Sequence, residues 1–442
     1  MIEILPIGGY SEVGKNSTAV KIGEEVCILD FGLSLENYIK YTQDEDDFNL
    51  STSELVKAGA IPDVSAIGGW KDKVKMILPT HAHLDHIGAL PYIQDKIKAP
   101  IMATPFTAEV LKSIANDKKI RMGNKIKSMH ANSIFNLSSN IKVEFVHITH
   151  STPHTVIIAL HTSKGIVVYA NDFKFDMYPT LGKTPNLKRL AELGNLGVRA
   201  LIVDSLYAHD ERKTPSETVA KHMLREVMMN TDSKGKLMIV TTFASHIARL
   251  NSIVEFGKKL NRKIVFMGRS ISRYVDAAEK SGVIKFSKDV EMVKFGNQMK
   301  KELKKVQRER DKYLLVVTGH QGEPKSTLSK IATGELGFEI QTEDHVIFSS
   351  KVIPTKMNIN NSRILDSYLR KRNARIFRDV HESGHAARED LRDLMHILKP
   401  EHIIPTHGDS SVRNNLAELS IEMGYKKGNN AHMLNDGQKI RI

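Results

Sequence analysis

The chain has 442 residues, 41% hydrophobic and 26% charged; that is the make-up of an ordinary globular protein, longer than one core usually serves. Lysine and arginine number 64 against 51 acidic residues, and the resulting +13 favours a polyanionic partner, with nucleic acid first in line. No apolar run reaches membrane-spanning length, and Met1-Ile2-Glu3-Ile4 does not open a signal peptide, so no membrane association is expected and the cytoplasm is the default compartment.

The opening Gly8-Gly9…Gly14-Lys15-Asn16 predicts tight hairpins between short strands, around Ala19–Ile22 and Val26–Leu29, and no helix pattern follows that would make it a nucleotide-binding loop. The single cysteine, Cys27, falls in the second of these strands and reads as core. Asp30 ends that strand, either as a turn-former or to orient a ligand histidine. Asp44 to Asp47 reads as a solvated acidic loop.

The stretch on which the chain turns follows the apolar run Val74–Leu78: Thr80-His81-Ala82-His83-Leu84-Asp85-His86. Imidazoles alternating along extended backbone can face one ion (His81, His83), while Asp85 and His86 lie where the chain turns and can reach a second. Gln94 to His130 is helical in texture and strewn with Lys118, Lys119, Arg121, Lys125 and Lys127, a charge run that reads first as a wet face. Later strand ends deliver His150 and Asp172, the latter suited to bridging two closely spaced dications.

From about Ala200 the texture becomes strand–loop–helix, with strands ending at Asp204-Ser205, Thr241-Thr242, Gly268-Arg269-Ser270 and Thr318-Gly319, which predicts a parallel sheet flanked by helices. Between the last two, Met299, Leu303 and Val306 form an apolar stripe among lysines, read as core packing. Histidine-bearing strand ends return at His381-Glu382-Ser383-Gly384-His385 and Pro405-Thr406-His407-Gly408. The first domain therefore resumes, with the middle stretch inserted into it.

Asp30, His81/His83/Asp85/His86, His150, Asp172 and His407 together resemble the motif series of the metallo-β-lactamase superfamily. Asp204, Ser383-Gly384-His385 and His407 resemble the three further motifs of its β-CASP nucleases. Gly8-Gly9…Glu12-Val13-Gly14-Lys15-Asn16, Thr241-Thr242-Phe243-Ala244-Ser245, Gly268-Arg269-Ser270 and Gln321-Gly322-Glu323-Pro324 are similar to ribonucleases J, and most similar to the shorter archaeal ones. Four positions depart from the usual pattern: Ala82 and Asn171 stand where glycine is common, His154 where an acidic residue is, and Asp409 where glutamate is.

The resemblance implies an α/β fold, a metallo-β-lactamase αββα sandwich with an inserted β-CASP domain, divided as 1–205, 206–348 and 349–442. It implies one zinc held by His81, His83 and His150 and a second by Asp85, His86 and His407, with Asp172 bridging and Asp30 behind the ligands. Imidazole and carboxylate without thiolate agree with two Zn2+ ions, or Mn2+ in their place. Asp85, His385 and Asp204 are the expected catalytic residues, His385 protonating the leaving 3′ oxygen and Asp204 orienting it. Ser383, Gly384 and His385 are the expected substrate contacts. The implied activity is 5′–3′ exoribonucleolysis of single-stranded RNA, preferring 5′-monophosphate ends, by a homodimer. Histidine at position 407, where DNA-processing relatives tend to have valine, favours RNA. An RNA endonuclease using the same residues, or an inactive RNA-binding subunit, are the alternative readings.

Overall fold

The computed structural model describes residues 1–42, 51–93 and 96–442 of the chain, so the acidic run Asp44–Asp47 lies outside the described residues. The chain divides into two compact units, Met1–Met177 with Lys183–Thr214 and Gly384–Ile442, and Tyr178–Gly182 with Pro215–Ser383.

The first unit holds two sheets. A seven-stranded sheet runs, edge to edge, Ile440–Arg441, Ile2–Gly8, Ser17–Ile22, Glu25–Leu29, Val74–Leu78, Ile101–Ala103 and Ile126–Ser128. A six-stranded sheet runs His402–Thr406, Val198–Asp204, Gly165–Ala170, Val156–Thr162, Lys142–His147 and Ser133–Asn136. Side chains alternate across a strand with period two, so Val156–Thr162 contributes to a core on each of its faces. Ile158 and Leu160 pack with Ile4, Cys27 and Leu78 of the facing sheet. Ile157 and Ala159 turn the other way, onto the layer formed by helices Leu187–Leu196, Arg388–Leu398 and Ser410–Glu422. This gives the sheet-on-sheet sandwich with helices outside that the resemblance implies, and Cys27 is buried in it as expected.

Gln94 to His130 is less helical than its texture. Among the described residues of that stretch a helix spans Pro105–Asp117, and Ile126–Ser128 is an edge strand paired in parallel with Ile101–Ala103. Lys127 projects from this edge into solvent, where a charge discourages pairing with another chain.

The second unit is built on one parallel sheet, ordered Val290–Val293, Lys263–Met267, Tyr313–Val317, Met238–Thr241, His345–Phe348 and Arg375–Phe377. Val265, Leu315, Val317 and Val346 of the sheet share a core with Met299, Leu303 and Val306, so the lysine-flanked stripe is core packing. Leu303→Ala is expected to lower stability in denaturant unfolding by about 3 kcal/mol, within the range for a buried leucine truncated to alanine. The second unit also runs past residue 348, where the sequence pattern returns the chain to the first. Arg375–Phe377 pairs with His345–Phe348 as an edge strand, and Leu365 and Leu369 of helix Lys356–Lys371 enter its core.

Candidate metal centre

Parallel register in the first unit brings three strand ends together. Ala170 lies opposite Val203, and Asp204 opposite Thr406, so Asp172, Asp204 and His407 emerge at one end of the sheet. From the facing sheet, Val74–Leu78 ends just before the histidine stretch, and Leu84–Ile87 forms a single helical turn with His83 at its N-cap. The turn is held by backbone. Phe31 N–H donates to the His86 carbonyl (2.7 Å) and Leu33 N–H to that of Leu84 (2.9 Å). Gly32 is required by this approach, because a Cβ there would fall 1.6 Å from the Asp85 carbonyl oxygen.

Two groups of donor atoms result. In one, His81 Nε2 and His150 Nε2 lie 3.0 and 3.1 Å from His83 Nδ1, and Asp172 Oδ2 lies 3.5 Å from both His81 Nε2 and His150 Nε2. In the other, His86 Nε2 lies 3.5 Å from Asp85 Oδ2 and 3.3 Å from Asp172 Oδ1. His407 approaches the same two carboxylates, with 3.7 Å from Nε2 to Asp85 and 2.9 Å from Nδ1 to Asp172. Asp172 thus gives one oxygen to each group.

The donors fit metal ions. Edges of a tetrahedral zinc site with nitrogen ligands at ~2.05 Å measure about 3.3 Å, close to these spacings. The Oδ1 atom of Asp172 is buried without a hydrogen-bond partner, and a native structure seldom leaves such an atom unsatisfied. Four of the five imidazoles are also held from their far nitrogen, as ligand histidines are. Thr80 Oγ1 lies 3.0 Å from His81 Nδ1, Ser151 Oγ 3.3 Å from His83 Nε2, and Asp30 Oδ2 2.7 Å from His86 Nδ1. His150 Nδ1 donates to the Gly384 carbonyl at 2.6 Å.

Burial and charge set the protonation of the metal-free groups. Burial lowers His81 to about 3 and His150 well below the ordinary histidine range, so both present neutral lone pairs. Burial also opposes charge on His86, but Asp172, Asp85 and Asp30 outweigh it and raise its pKa. Asp172 is held well below the carboxylate range: burial works against this, and the surrounding His86, His407 and His385 prevail.

His385 stands beside this cluster. Its Nδ1 is 2.9 Å from Asp204 Oδ2, its Nε2 is 3.8 Å from Asp172 Oδ2, and Tyr207 stacks on the ring with centroids 5.6 Å apart. Asp204 is itself fixed, accepting the Leu206 N–H at 2.8 Å. The His385 carbonyl accepts from Thr214 Oγ1 (2.7 Å), and Asp390 accepts the N–H groups of Thr214 and Ala387. Burial lowers the pKa of His385, yet Asp172 and Asp204 together raise it to about 9.

The structure brings Asp30, His81, His83, Asp85, His86, His150, Asp172, Asp204, Gly384, His385 and His407 into these groups, all within the first unit, while Ser383 belongs to the second. Gly384 takes a part that its sequence context does not announce. Its carbonyl anchors His150, and a Cβ there would sit 3.0 Å from that ring. Asn16, Thr80, Tyr207 and Asn171 have no role assigned from sequence. Departure from the family's glycine is a signal only for Asn171. His154 has a structural explanation. Its Nδ1 accepts the Phe106 N–H at 3.4 Å, at the start of helix Pro105–Asp117, as a carboxylate would.

Three family models match the chain: "Beta-lactamase superfamily domain" over residues 65–238, "Ribonuclease J, beta-CASP domain" over 234–366, and "Zn-dependent metallo-hydrolase RNA specificity domain" over 370–434. A ribonuclease J of Methanocaldococcus jannaschii is 39% identical over 439 residues, covering 99% of this chain and 98% of that one. A ribonuclease J of Pyrococcus abyssi is 41% identical over 447 residues, covering 100% and 97%. The chain belongs to the ribonuclease J family. Its fold is accordingly a metallo-β-lactamase domain carrying a β-CASP insert, and the family is one of metal-dependent nucleases. A ribonuclease J of Helicobacter pylori, 30% identical over 454 residues, is matched over 100% of this chain and 60% of its own length. A solved structure of an Enterococcus faecalis protein described as of unknown function shares the fold, with a TM-score of 0.67 at 14% identity over 99% of both chains.

Proposed function

We propose that this chain hydrolyses phosphodiester bonds of single-stranded RNA from the 5′ end, with a preference for 5′-monophosphate termini. It would use two zinc ions, one on His81, His83 and His150, the other on Asp85, His86 and His407, with Asp172 shared. The observation that carries the reading is the division of Asp172 between two donor groups, with a histidine outside both of them 3.8 Å from its Oδ2. Paired dications supply hydroxide near neutral pH and neutralise charge that develops on phosphorus.

The chain's own residues do the rest. His385, held by Asp204 on one nitrogen, keeps its other nitrogen towards the donor cluster. From there it can give a proton to the departing 3′ oxygen. Asp204 keeps the ring oriented and favours its charged form. Ser383 and the Gly384 amide are proposed to hold a phosphate oxygen. The +13 charge supports a nucleic-acid substrate, and the RNA-specificity description of the model over 370–434 favours RNA. The relatives named ribonuclease J support the same choice. The homodimer and the cytoplasmic location belong to this proposal too.

The test uses single-stranded RNA labelled at either end, in 5′-monophosphate and 5′-triphosphate forms, with zinc or manganese added. Mononucleotide released from the labelled 5′ end, and lost in His81→Ala, is the expected result. Internal fragments would make the activity endonucleolytic. RNA binding without turnover, unchanged by the substitution, would overturn the hydrolase reading.

A further inference from the structure

Beside the donor groups, three rings of the first unit lie nearly parallel in succession. Tyr207 is inclined 29° to the His385 ring with centroids 5.6 Å apart, and His209 is inclined 22° to Tyr207 at 5.9 Å. The run starts at the half-buried His385 and ends at His209, which is exposed. Neither the ion ligands nor the proton donor accounts for this outermost ring.

The loop that bears the two outer rings is fixed by backbone bonds. Ser205 N–H donates to the Thr406 carbonyl (3.1 Å), Ala208 N–H to that of Ser205 (3.1 Å) and Asp210 N–H to that of Tyr207 (3.0 Å). From the chain after His385, Arg388 N–H donates to the Asp210 carbonyl (2.9 Å), and Tyr207 pairs with Ala387 in an isolated parallel bridge. An exposed ring is thus presented on a set support, two ring-steps from His385. A ring already held in place gives up little freedom when a ligand lies on it.

The chemistry of such a face selects its ligand. Unpaired nucleobases stack on tyrosine and histidine rings, and do so with little regard to sequence because every base has a π-face. A bare carboxylate nearby would repel the phosphate of that nucleotide. The Asp210 carboxylate is instead matched by Arg212, whose Nε and Nη2 donate to it at 3.0 and 2.8 Å.

We propose that His209, backed by Tyr207, is a stacking platform for one nucleobase of the single-stranded substrate, at a nucleotide near the scissile phosphate. The proposal rests on the RNA reading above, but not on the direction of cleavage or the identity of the ions.

The experiment compares the metal-loaded parent, His209→Gln and His209→Phe on single-stranded RNA. Loss of one stacked base is expected to raise KM in His209→Gln by roughly 5–150-fold, with less effect on kcat. His209→Phe keeps a ring and gives up the imidazole, so its KM should return close to the parental value. Substrates that each lack one base, at successive nucleotides, then locate the contact. At one position the missing base should raise KM for the parent but not for His209→Gln. A parent that cleaves RNA while His209→Gln keeps its KM would overturn the platform alone. So would a phenylalanine variant that fails to restore KM, or penalties that add at every position. A parent that neither binds nor cleaves RNA would overturn the platform together with the RNA reading.

Discussion

Asp172→Asn is expected to lower hydrolysis by roughly 10⁴-fold or more and to reduce bound metal to one ion or none. The substitution keeps the shape of the side chain but removes the charge that faces both donor groups. Charge stabilisation by paired ions supplies several kcal/mol, and each 1.4 kcal/mol is a factor of ten in rate. Metal content by mass spectrometry and initial rates on end-labelled RNA check it together. A variant that keeps both ions and a near-parental rate would remove Asp172 from the bridging role. The metal-free protein offers a second reading. There the pKa of Asp172 is depressed, so its contribution to stability is present above the ordinary value of 3.8 and is lost as pH falls towards the folded-state value. The metal-free variant should therefore be less stable than the parent at neutral pH, and the gap should narrow in acid.

The donor set was legible because its spacing follows local geometry. The alternation of His81 and His83 along extended backbone and the turn at Asp85-His86 are short-range facts. The arrival of His150, Asp172 and His407 at strand ends follows from apolar runs that stop just before them. What holds these residues was mostly invisible. Asp30 reads as a turn-former or an orienting carboxylate, and only the fold puts its Oδ2 2.7 Å from His86 Nδ1. The pairing of Gly384 with His150 joins positions 234 residues apart, and no local pattern carries that. Asn171 could be seen as a departure, but its partners depend on the register that sets Ala170 opposite Val203. The reach of the second unit past residue 348 was hidden for a related reason. Arg375–Phe377 is a short edge strand, and nothing in its sequence says which sheet it extends.

His385→Ala is expected to lower kcat by about 10²–10⁴-fold, the range for a lost general acid, while both ions stay bound. The His385 ring meets the ligand imidazoles of His150 and His407 edge-on, with centroids 5.1 and 5.7 Å apart, and supplies no donor atom to either group, so metal content separates this variant from Asp172→Asn. The pH profile carries the sharper test. A general acid must be protonated, so the rate should fall as pH rises through the pKa of His385, which is about 9 in the metal-free protein. Burial opposes the charged ring there, and Asp172 and Asp204 support it. Once Asp172 is paired with cations, its support for the His385 charge is withdrawn and that of Asp204 remains. The alkaline limb of the active enzyme should therefore lie below 9, and Asp204→Asn should move it lower still. Asp204→Asn also loses the acceptor that fixes His385 Nδ1 at 2.9 Å, so its kcat should fall even at the pH where the ring is fully protonated. If the limb stays in place in Asp204→Asn and disappears in His385→Ala, His385 is the acid but Asp204 does not tune it. If the limb persists in His385→Ala, the proton comes from another group.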